Sequence, residues 1–362
     1  MLKHFVVPRD EQVLVSEETA RAGMVALFVA MGLTQEDAEL AADVLVVADL
    51  RGCESHGVSN MVRRYVEMYA DGRLNPRPNI KVVRESTVSA TIDADLGIGL
   101  HVGSKAMDLA IEKAHSHGIG SVAVQSCGHV GMLAYYPMQA IEHDMIGVCM
   151  VSAGGGIMVP TFGSTPAFGT HPIAWAAPAD KMPPFVFDVA TTQVAANKLG
   201  LTRRIGSKLE PGWICDLEGR PIMDAVDTPA FGKFNMLPLG GTRENGSHKG
   251  YGFALIADIM SGILSGNGPG VFAGGVHTSQ FVMALKIDAF LDIADFKADM
   301  DKLLRHLSDM QPAPGHNRVY YAGLMEHEET LMRREHGIPY HREVVEWFNQ
   351  TSQEHKLGVH WP

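Results

Sequence analysis

Apolar residues recur at three- and four-residue spacing from Ser16 to about Ala70, a period that predicts amphipathic helices. The first, Glu17-Glu-Thr-Ala-Arg-Ala-Gly-Met-Val-Ala-Leu-Phe-Val-Ala-Met, follows a serine suited to cap it. Thr34-Gln-Glu-Asp supplies a second cap and an acidic first turn, and the helix it opens ends near Arg51-Gly52. Pro76-Arg-Pro78 stops this pattern, and a change of domain is expected near residue 78. Beyond it the period shortens to two, so that Ile80-Lys-Val-Val and Ser86-Thr-Val-Ser-Ala-Thr-Ile-Asp read as strands.

Helix and strand then alternate. A helix is expected at about Val102 to His115, a strand at Ser121-Val-Ala-Val-Gln, a helix around Ala134 to His143 and a strand at Ile146-Gly-Val-Cys-Met-Val-Ser. Gly154 to Pro184 is rich in Gly and Pro, as in turns around a ligand or at a domain edge. Phe185-Val-Phe-Asp-Val-Ala resumes a strand, and Gly252 to Leu264 reads as a strongly apolar helix. Asp288 to Met310 supplies one or two charged amphipathic helices, and Glu326 to Phe348 more helix. The alternation argues for an α/β layer architecture.

Composition narrows the function classes. The 41 acidic against 30 basic residues leave a net charge of -11, which opposes nonspecific attraction to nucleic acid or an anionic membrane. An anionic substrate must therefore be met by locally placed cations. No apolar run approaches the roughly 18 residues of a membrane span, and Met1-Leu-Lys-His-Phe lacks the apolar core of a secretory signal, so the expected compartment is the cytoplasm. Cys53, Cys127, Cys149 and Cys215 show no Cys-x-x-Cys spacing and are expected as free, mostly buried thiols. The 17 histidines include no His-Glu-x-x-His, and no metal site is expected.

Five segments can carry chemistry. Arg51-Gly-Cys-Glu-Ser-His-Gly-Val58 sets a hydroxyl, Ser55, beside an imidazole, His56, just after a helix, where a side chain can leave the core for a cleft. Such a pair is either a capped turn or a proton-transfer group, since imidazole titrates near neutrality. Ser126-Cys-Gly-His-Val-Gly joins a strand end to a helix start, so His129 either projects from the carboxyl edge of a sheet or is half-buried in a turn. Asp188, inside an apolar strand, needs a partner; that partner is a histidine whose tautomer it fixes, or the next helix, which it caps. Lys249, in Ser247-His-Lys-Gly-Tyr-Gly, opens an apolar helix and could meet a phosphate or a substrate carboxylate. Gly97-Ile-Gly-Leu-His-Val-Gly103 has G-x-G-x-x-x-G spacing, and no acidic residue ends a strand about twenty positions on, so a plain strand-to-helix turn competes with a dinucleotide fingerprint.

In order along the chain, Asp49-Leu-Arg-Gly-Cys-Glu-Ser-His-Gly-Val, Gly128-His-Val-Gly with Tyr135-Tyr136, Phe168-Gly-Thr-His-Pro-Ile, Asp188-Val-Ala-Thr-Thr, Leu237-Pro-Leu-Gly-Gly, Lys249-Gly-Tyr-Gly and Gly337-Ile-Pro resemble the malate/L-lactate dehydrogenase type 2 family of NAD(P)-dependent oxidoreductases. The resemblance implies an α/β fold with a mixed, layered sheet, distinct from the Rossmann fold. It implies residues 1–78 as a helical segment packing with 311–362, and 79–310 as the α/β cofactor- and substrate-binding region. It also implies a homodimer and hydride transfer between NAD or NADP and a small 2-hydroxy or 2-oxo acid. A cyclic imino acid, or a nicotinamide-binding protein without catalysis, is the alternative.

By the same resemblance His56 is the proton donor and acceptor, Ser55 its neighbour, Asp188 the carboxylate that can orient the histidine, and His129 a second catalytic histidine. The cofactor is assigned to Val186, Phe187, Asp188, Val189, Ala190, Thr191 and Thr192, to His248 and Lys249, and to Gly323 in the turn Ala322-Gly-Leu. The chain departs from the family pattern at three places. Asn60 stands where many members have an arginine suited to a substrate carboxylate, His171 replaces the asparagine of Gly-Thr-Asn-Pro, and Ala322-Gly-Leu replaces Pro-Gly-Glu.

Overall fold

The computed structural model describes residues 6–272 and 278–362. Met1-Leu-Lys-His-Phe5, on which the secretory-signal reading rests, lies outside the described residues. Strand β1 (Gln12–Val15) leads into helices α1 (Glu17–Ala30), α2 (Gln35–Leu50) and α3 (Val58–Ala70). The expected caps are in place: Ser16 Oγ accepts the Thr19 amide and Thr34 Oγ1 the Asp37 amide, both at 3.1 Å, each bond worth about 1 kcal/mol.

Strands β2 (Lys81–Glu85) and β3 (Ser89–Asp93) follow, then helix α4 (Gly99–His117), strand β4 (Ile119–Cys127), helix α5 (Tyr135–Ile141) and strands β5 (Met145–Ala153), β6 (Ile173–Ala177) and β7 (Phe185–Val189). Helix α6 (Ala196–Ile205) and a small ribbon of β8 (Ile214–Cys215) and β9 (Asn235–Met236) precede helix α7 (Ser247–Ala257). A π-helical stretch, Asp258–Ile263, continues α7. The chain ends with strand β10 (Thr278–Lys286), helices α8 (Ile293–Ser308) and α9 (Leu324–His336), strand β11 (Ile338–His341) and helix α10 (Arg342–His355).

The seven-stranded sheet runs β2-β3-β4-β10-β5-β6-β7. Only β3 and β4, joined through α4, are parallel neighbours; the remaining pairs are antiparallel, so the sheet is mixed as expected and is not a doubly wound parallel sheet. Its middle strand, β10, was not anticipated. Val282 pairs with Val122 on one side and Cys149 on the other, and all three are buried. Strand β11 divides the stretch read as continuous helix from Glu326 to Phe348, and pairs antiparallel with β1, Val15 against Ile338.

One core therefore joins the two chain ends: Met24, Leu27, Phe28, Leu45, Val62 and Tyr65 pack with Ile338, Tyr340, Phe348 and Trp361. Trp361 stacks on Phe348 at 4.2 Å and on Tyr340 at 4.9 Å between ring centroids. A second core lies between α4, α5 and the sheet. Among the described residues all four cysteines are free, no helix is long and apolar enough to cross a membrane, and no group of His, Cys, Asp or Glu could hold a metal ion.

Candidate active site

The turn from Arg51 to Gly57, between α2 and α3, is gripped from below. Asp49 is fully buried in the last turn of α2, and one of its carboxyl oxygens accepts the Val58 amide at 2.9 Å and the Tyr340 hydroxyl at 2.7 Å. Gly57 is the residue that permits this approach, since a β-carbon there would stand 1.8 Å from Asp49 Oδ1. Arg333, buried on α9, donates to the Asp49 carbonyl at 2.7 Å and pairs with Glu54 at 2.6 Å and Glu329 at 2.7 Å. Hydrogen bonds donated by the guanidinium to Glu329 and the Asp49 carbonyl, with the Glu54 ion pair, offset the cost of burying the charges.

On this base Ser55 Oγ lies 2.9 Å from His56 Nδ1. His56 is half-buried, and burial, helped by the positive charge of Lys198, pushes its pKa down to about 4. The ring is neutral near pH 7 and able to accept a proton. His129 comes from the turn after β4 and stacks on it, with centroids 5.8 Å apart and planes at 11°. Burial holds the His129 pKa well below the usual histidine value, with His56 and Arg64 adding to it. The structure thus brings the three expected residues Ser55, His56 and His129 into one corner.

Asp188 sits on β7, the sheet edge, open to solvent on one side but closely walled by protein. That surrounding pushes its carboxyl up to about 6, opposed by the Ala134 amide and by Arg51. Its hydrogen bond runs from the Ala134 N–H at 2.8 Å, and among the described residues it bonds to neither histidine. The expected imidazole partner is therefore replaced by a backbone donor, nor does Asp188 cap the next helix, α6, whose N-cap is Ala195. Because Ala134 lies five residues beyond His129, this bond still ties β7 to the histidine turn.

The remaining cofactor candidates fall into two neighbouring groups. Val186 donates to the Ala322 carbonyl at 3.1 Å, which sets Gly323 against β7 beside exposed Phe187 and half-buried Val189 and Ala190. Thr191 accepts the Leu239 amide at 2.8 Å and Thr192 bridges to Pro238, so the strand end meets the Leu237-Pro-Leu-Gly-Gly loop. That loop touches the start of α7, where His248 and Lys249 are exposed and Gly246 supplies no side-chain cap. The amides of Gly246, Ser247 and Lys249 already donate to the carbonyls of Arg243, Thr242 and Gly246, so it is the exposed Lys249 ammonium at this turn that suits the phosphates of a dinucleotide. His171 is fully buried, 3.3 Å from Ser152 Oγ and 3.4 Å from Asp258, inside the protein under the π-helical turn.

Several residues of the site left no trace in the motifs. The Tyr65 hydroxyl, on a side chain 1% exposed, lies 2.7 Å from His129 Nδ1; its only signal is a tyrosine on the apolar face of α3. Lys198 belongs to α6, which the periodicity did not reveal. Asn60 is no free clamp: its amide donates to the Asn197 carbonyl at 2.8 Å and fastens α6 beside His56.

Residues 15–349 match the family model for malate/L-lactate dehydrogenase. The chain is 37% identical to malate dehydrogenase of Pyrococcus abyssi, over 97% of this chain and 96% of that one. It is 33% identical to L-sulfolactate dehydrogenase of Methanocaldococcus jannaschii, over 91% of this chain and 93% of the relative. The solved structure of malate dehydrogenase from Pyrococcus horikoshii superposes with a TM-score of 0.89, at 33% identity and 99% coverage of both chains. Fold, ordered motifs and relatives agree, and the chain belongs to the malate/L-lactate dehydrogenase family, an oxidoreductase among hydroxy acid dehydrogenases.

Proposed function

We propose that this enzyme moves a hydride between NAD or NADP and the 2-carbon of a small 2-hydroxy or 2-oxo acid, with His56 managing the proton. The observation that carries this reading is the pair of neutral, stacked imidazoles, His56 and His129, tied through the Ala134 to Asp188 bond to the strand assigned to the cofactor. The cofactor, when bound, accepts or delivers the hydride. It is assigned to Val186 to Thr192, the Gly323 turn, His248 and Lys249.

In oxidation neutral His56 takes the hydroxyl proton; in reduction protonated His56 returns it to the new oxygen. Ser55 Oγ, on Nδ1, orients the ring. The negative chain offers an anionic substrate little general attraction, and Asn60 is spent on Asn197, so Lys198 supplies the positive charge beside His56 that suits a substrate carboxylate. The test is a spectrophotometric screen of both cofactors against hydroxy, oxo and imino acids. Turnover on hydroxy or oxo acids, lost in His56→Ala with cofactor binding intact, is the expected result. Reduction of cyclic imines alone would replace the substrate class.

A second copy of the chain completes the assembly in this reading. Phe253, Ile256, Ile259, Ile263 and Leu264 form an exposed apolar face along α7 and its π-helical continuation. So continuous a face on the helix that starts with His248 and Lys249 is suited to another apolar surface rather than to water.

A further inference from the structure

Two donors converge on one nitrogen of His129. The Gly131 amide lies 3.1 Å from His129 Nδ1 and the Tyr65 hydroxyl 2.7 Å from it. An amide N–H can only donate, so Nδ1 carries a lone pair and no proton. A neutral imidazole has one N–H, which must then be on Nε2. Gly131 is bound to this role by the backbone: its φ of +68° is left-handed, and a β-carbon would come within 2.7 Å of Leu100.

The outer nitrogen, Nε2, has no hydrogen-bond partner among the described residues, nor is it among the unpartnered side-chain atoms sealed away from solvent. It is therefore a donor that solvent or a ligand can reach. To act as a base, a ring must instead show the substrate a lone pair. The one lone pair of the neutral His129 ring is on Nδ1, already bonded by Tyr65 and Gly131, so Nε2 has none with which to take the substrate's proton. His56 has no such constraint, because among the described residues its Nδ1 is hydrogen-bonded to the Ser55 hydroxyl alone, which donates or accepts as required.

We propose that Tyr65 and the Gly131 amide lock His129 as its Nε2–H tautomer, making it a fixed hydrogen-bond donor to the substrate's 2-oxygen and leaving all proton exchange to His56. Tyr65 is then a positioning residue acting through His129. The proposal rests on the hydroxy acid dehydrogenase reading. During oxidation the hydroxyl proton passes to His56 Nε2, the C–H electron pair leaves as hydride to the nicotinamide, and the C=O bond forms. His129 keeps its own proton throughout, its bond strengthening as negative charge develops on the oxygen.

The test combines a spectroscopic signature with rescue. Long-range proton–nitrogen correlation on protein labelled with 15N-histidine, with His129 assigned by its absence in His129→Gln, should show the neutral Nε2–H pattern near pH 7. Should His129→Gln not fold, the shift caused by Tyr65→Phe identifies the same resonances. In turnover, His129→Ala should lose about 100-fold in kcat, as for an oxyanion donor, and His129→Gln, whose side-chain amide restores an N–H, should recover about tenfold. His56→Gln should recover nothing over His56→Ala. Tyr65→Phe should lower kcat about tenfold, the worth of one hydrogen bond, with the Kd for NADH or NADPH unchanged. An Nδ1–H or doubly protonated His129, or a His129→Gln no better than His129→Ala, overturns the proposal. The spectrum needs no turnover, so the expected tautomer in a chain inactive on every hydroxy and oxo acid would sink the functional reading alone.

Discussion

Asp49 caps helix α3 from a distance: its carboxyl accepts the Val58 amide at 2.9 Å across the turn that carries Ser55 and His56. Gly57, the helix's own N-cap position, has no side chain to do so. The Tyr340 hydroxyl holds the same oxygen at 2.7 Å, while the other oxygen has no hydrogen-bond partner among the described residues. The placement of His56 is thus set by the end of one helix and a strand near the carboxyl terminus.

This relationship has a pH dependence. Burial pushes the Asp49 carboxyl from 3.8 up to about 7, against the pull of Tyr340 and the Val58 amide. Between those values the folded chain holds a proton that the unfolded chain has released, so the contribution to stability is full below 3.8 and is lost as pH rises through about 7. Asp49→Asn keeps an oxygen for both donors and removes the titration. Urea unfolding at several pH values should show the wild type losing stability relative to Asp49→Asn between about pH 4 and pH 7, by about 1.4 kcal/mol per pH unit at most, and no further loss above that. Parallel stability curves would contradict it.

Arg333 should be the least replaceable cation away from the reacting groups. It joins Glu54, Glu329 and the Asp49 carbonyl, all around the base of the His56 turn. Arg333→Met leaves the Glu54 charge buried without its partner and should cost about 3–5 kcal/mol. Arg333→Lys keeps the charge but cannot reproduce the planar fork, so it should fold and still lose turnover more than cofactor affinity. Chemical denaturation and kcat measured on the same preparations check both parts; equal losses in kcat and cofactor binding for Arg333→Lys would place its effect elsewhere.

The pH profiles of the two reaction directions should differ. His56 titrates at about 4, lowered first by burial and then by Lys198. Oxidation needs the neutral ring, so its His56-dependent limb should fall only as pH drops toward about 4. Reduction needs the protonated ring, so its rate should rise by about tenfold for each pH unit lowered above that value, wherever proton transfer limits. Lys198→Met removes a positive charge and should move both limbs to higher pH. Unmoved limbs would separate Lys198 from His56.

The sequence showed the parts of this site that are local and left out those that are not. Ser55 beside His56, and the Gly128-His-Val-Gly131 turn, are contiguous, and both form where the pattern placed them. Asp188 announced that it needed a partner, but the donor is a backbone amide, which every residue except proline possesses and which no side-chain pattern marks. Arg333 and Glu54 meet only because β1 and β11 bring the chain ends together. Strand β10 eluded the period-two signal because it is paired on both edges and apolar on successive residues, Phe281-Val-Met-Ala-Leu, with no polar face to alternate against. Helix α6 was hidden by a polar composition, an interior Gly200 and an N-cap, Ala195, that gives no signal.

The apolar face of α7 and its continuation gives the last prediction. Ile256, Ile259 and Ile263 are spaced three and four residues apart and each stands about half exposed, an arrangement that costs solubility unless another surface covers it. Sedimentation at concentrations near those of the assay should show a dimer for the wild type. Ile259→Asp places a charge in the middle of the face and should give monomers whose fold, followed by circular dichroism, is unchanged. Because the same helix starts with His248 and Lys249, those monomers should bind NADH or NADPH more weakly than the dimer, as the α7 start loses its support. A wild type that sediments as a monomer, or an Ile259→Asp variant that remains dimeric, would assign that face to a different partner or to none.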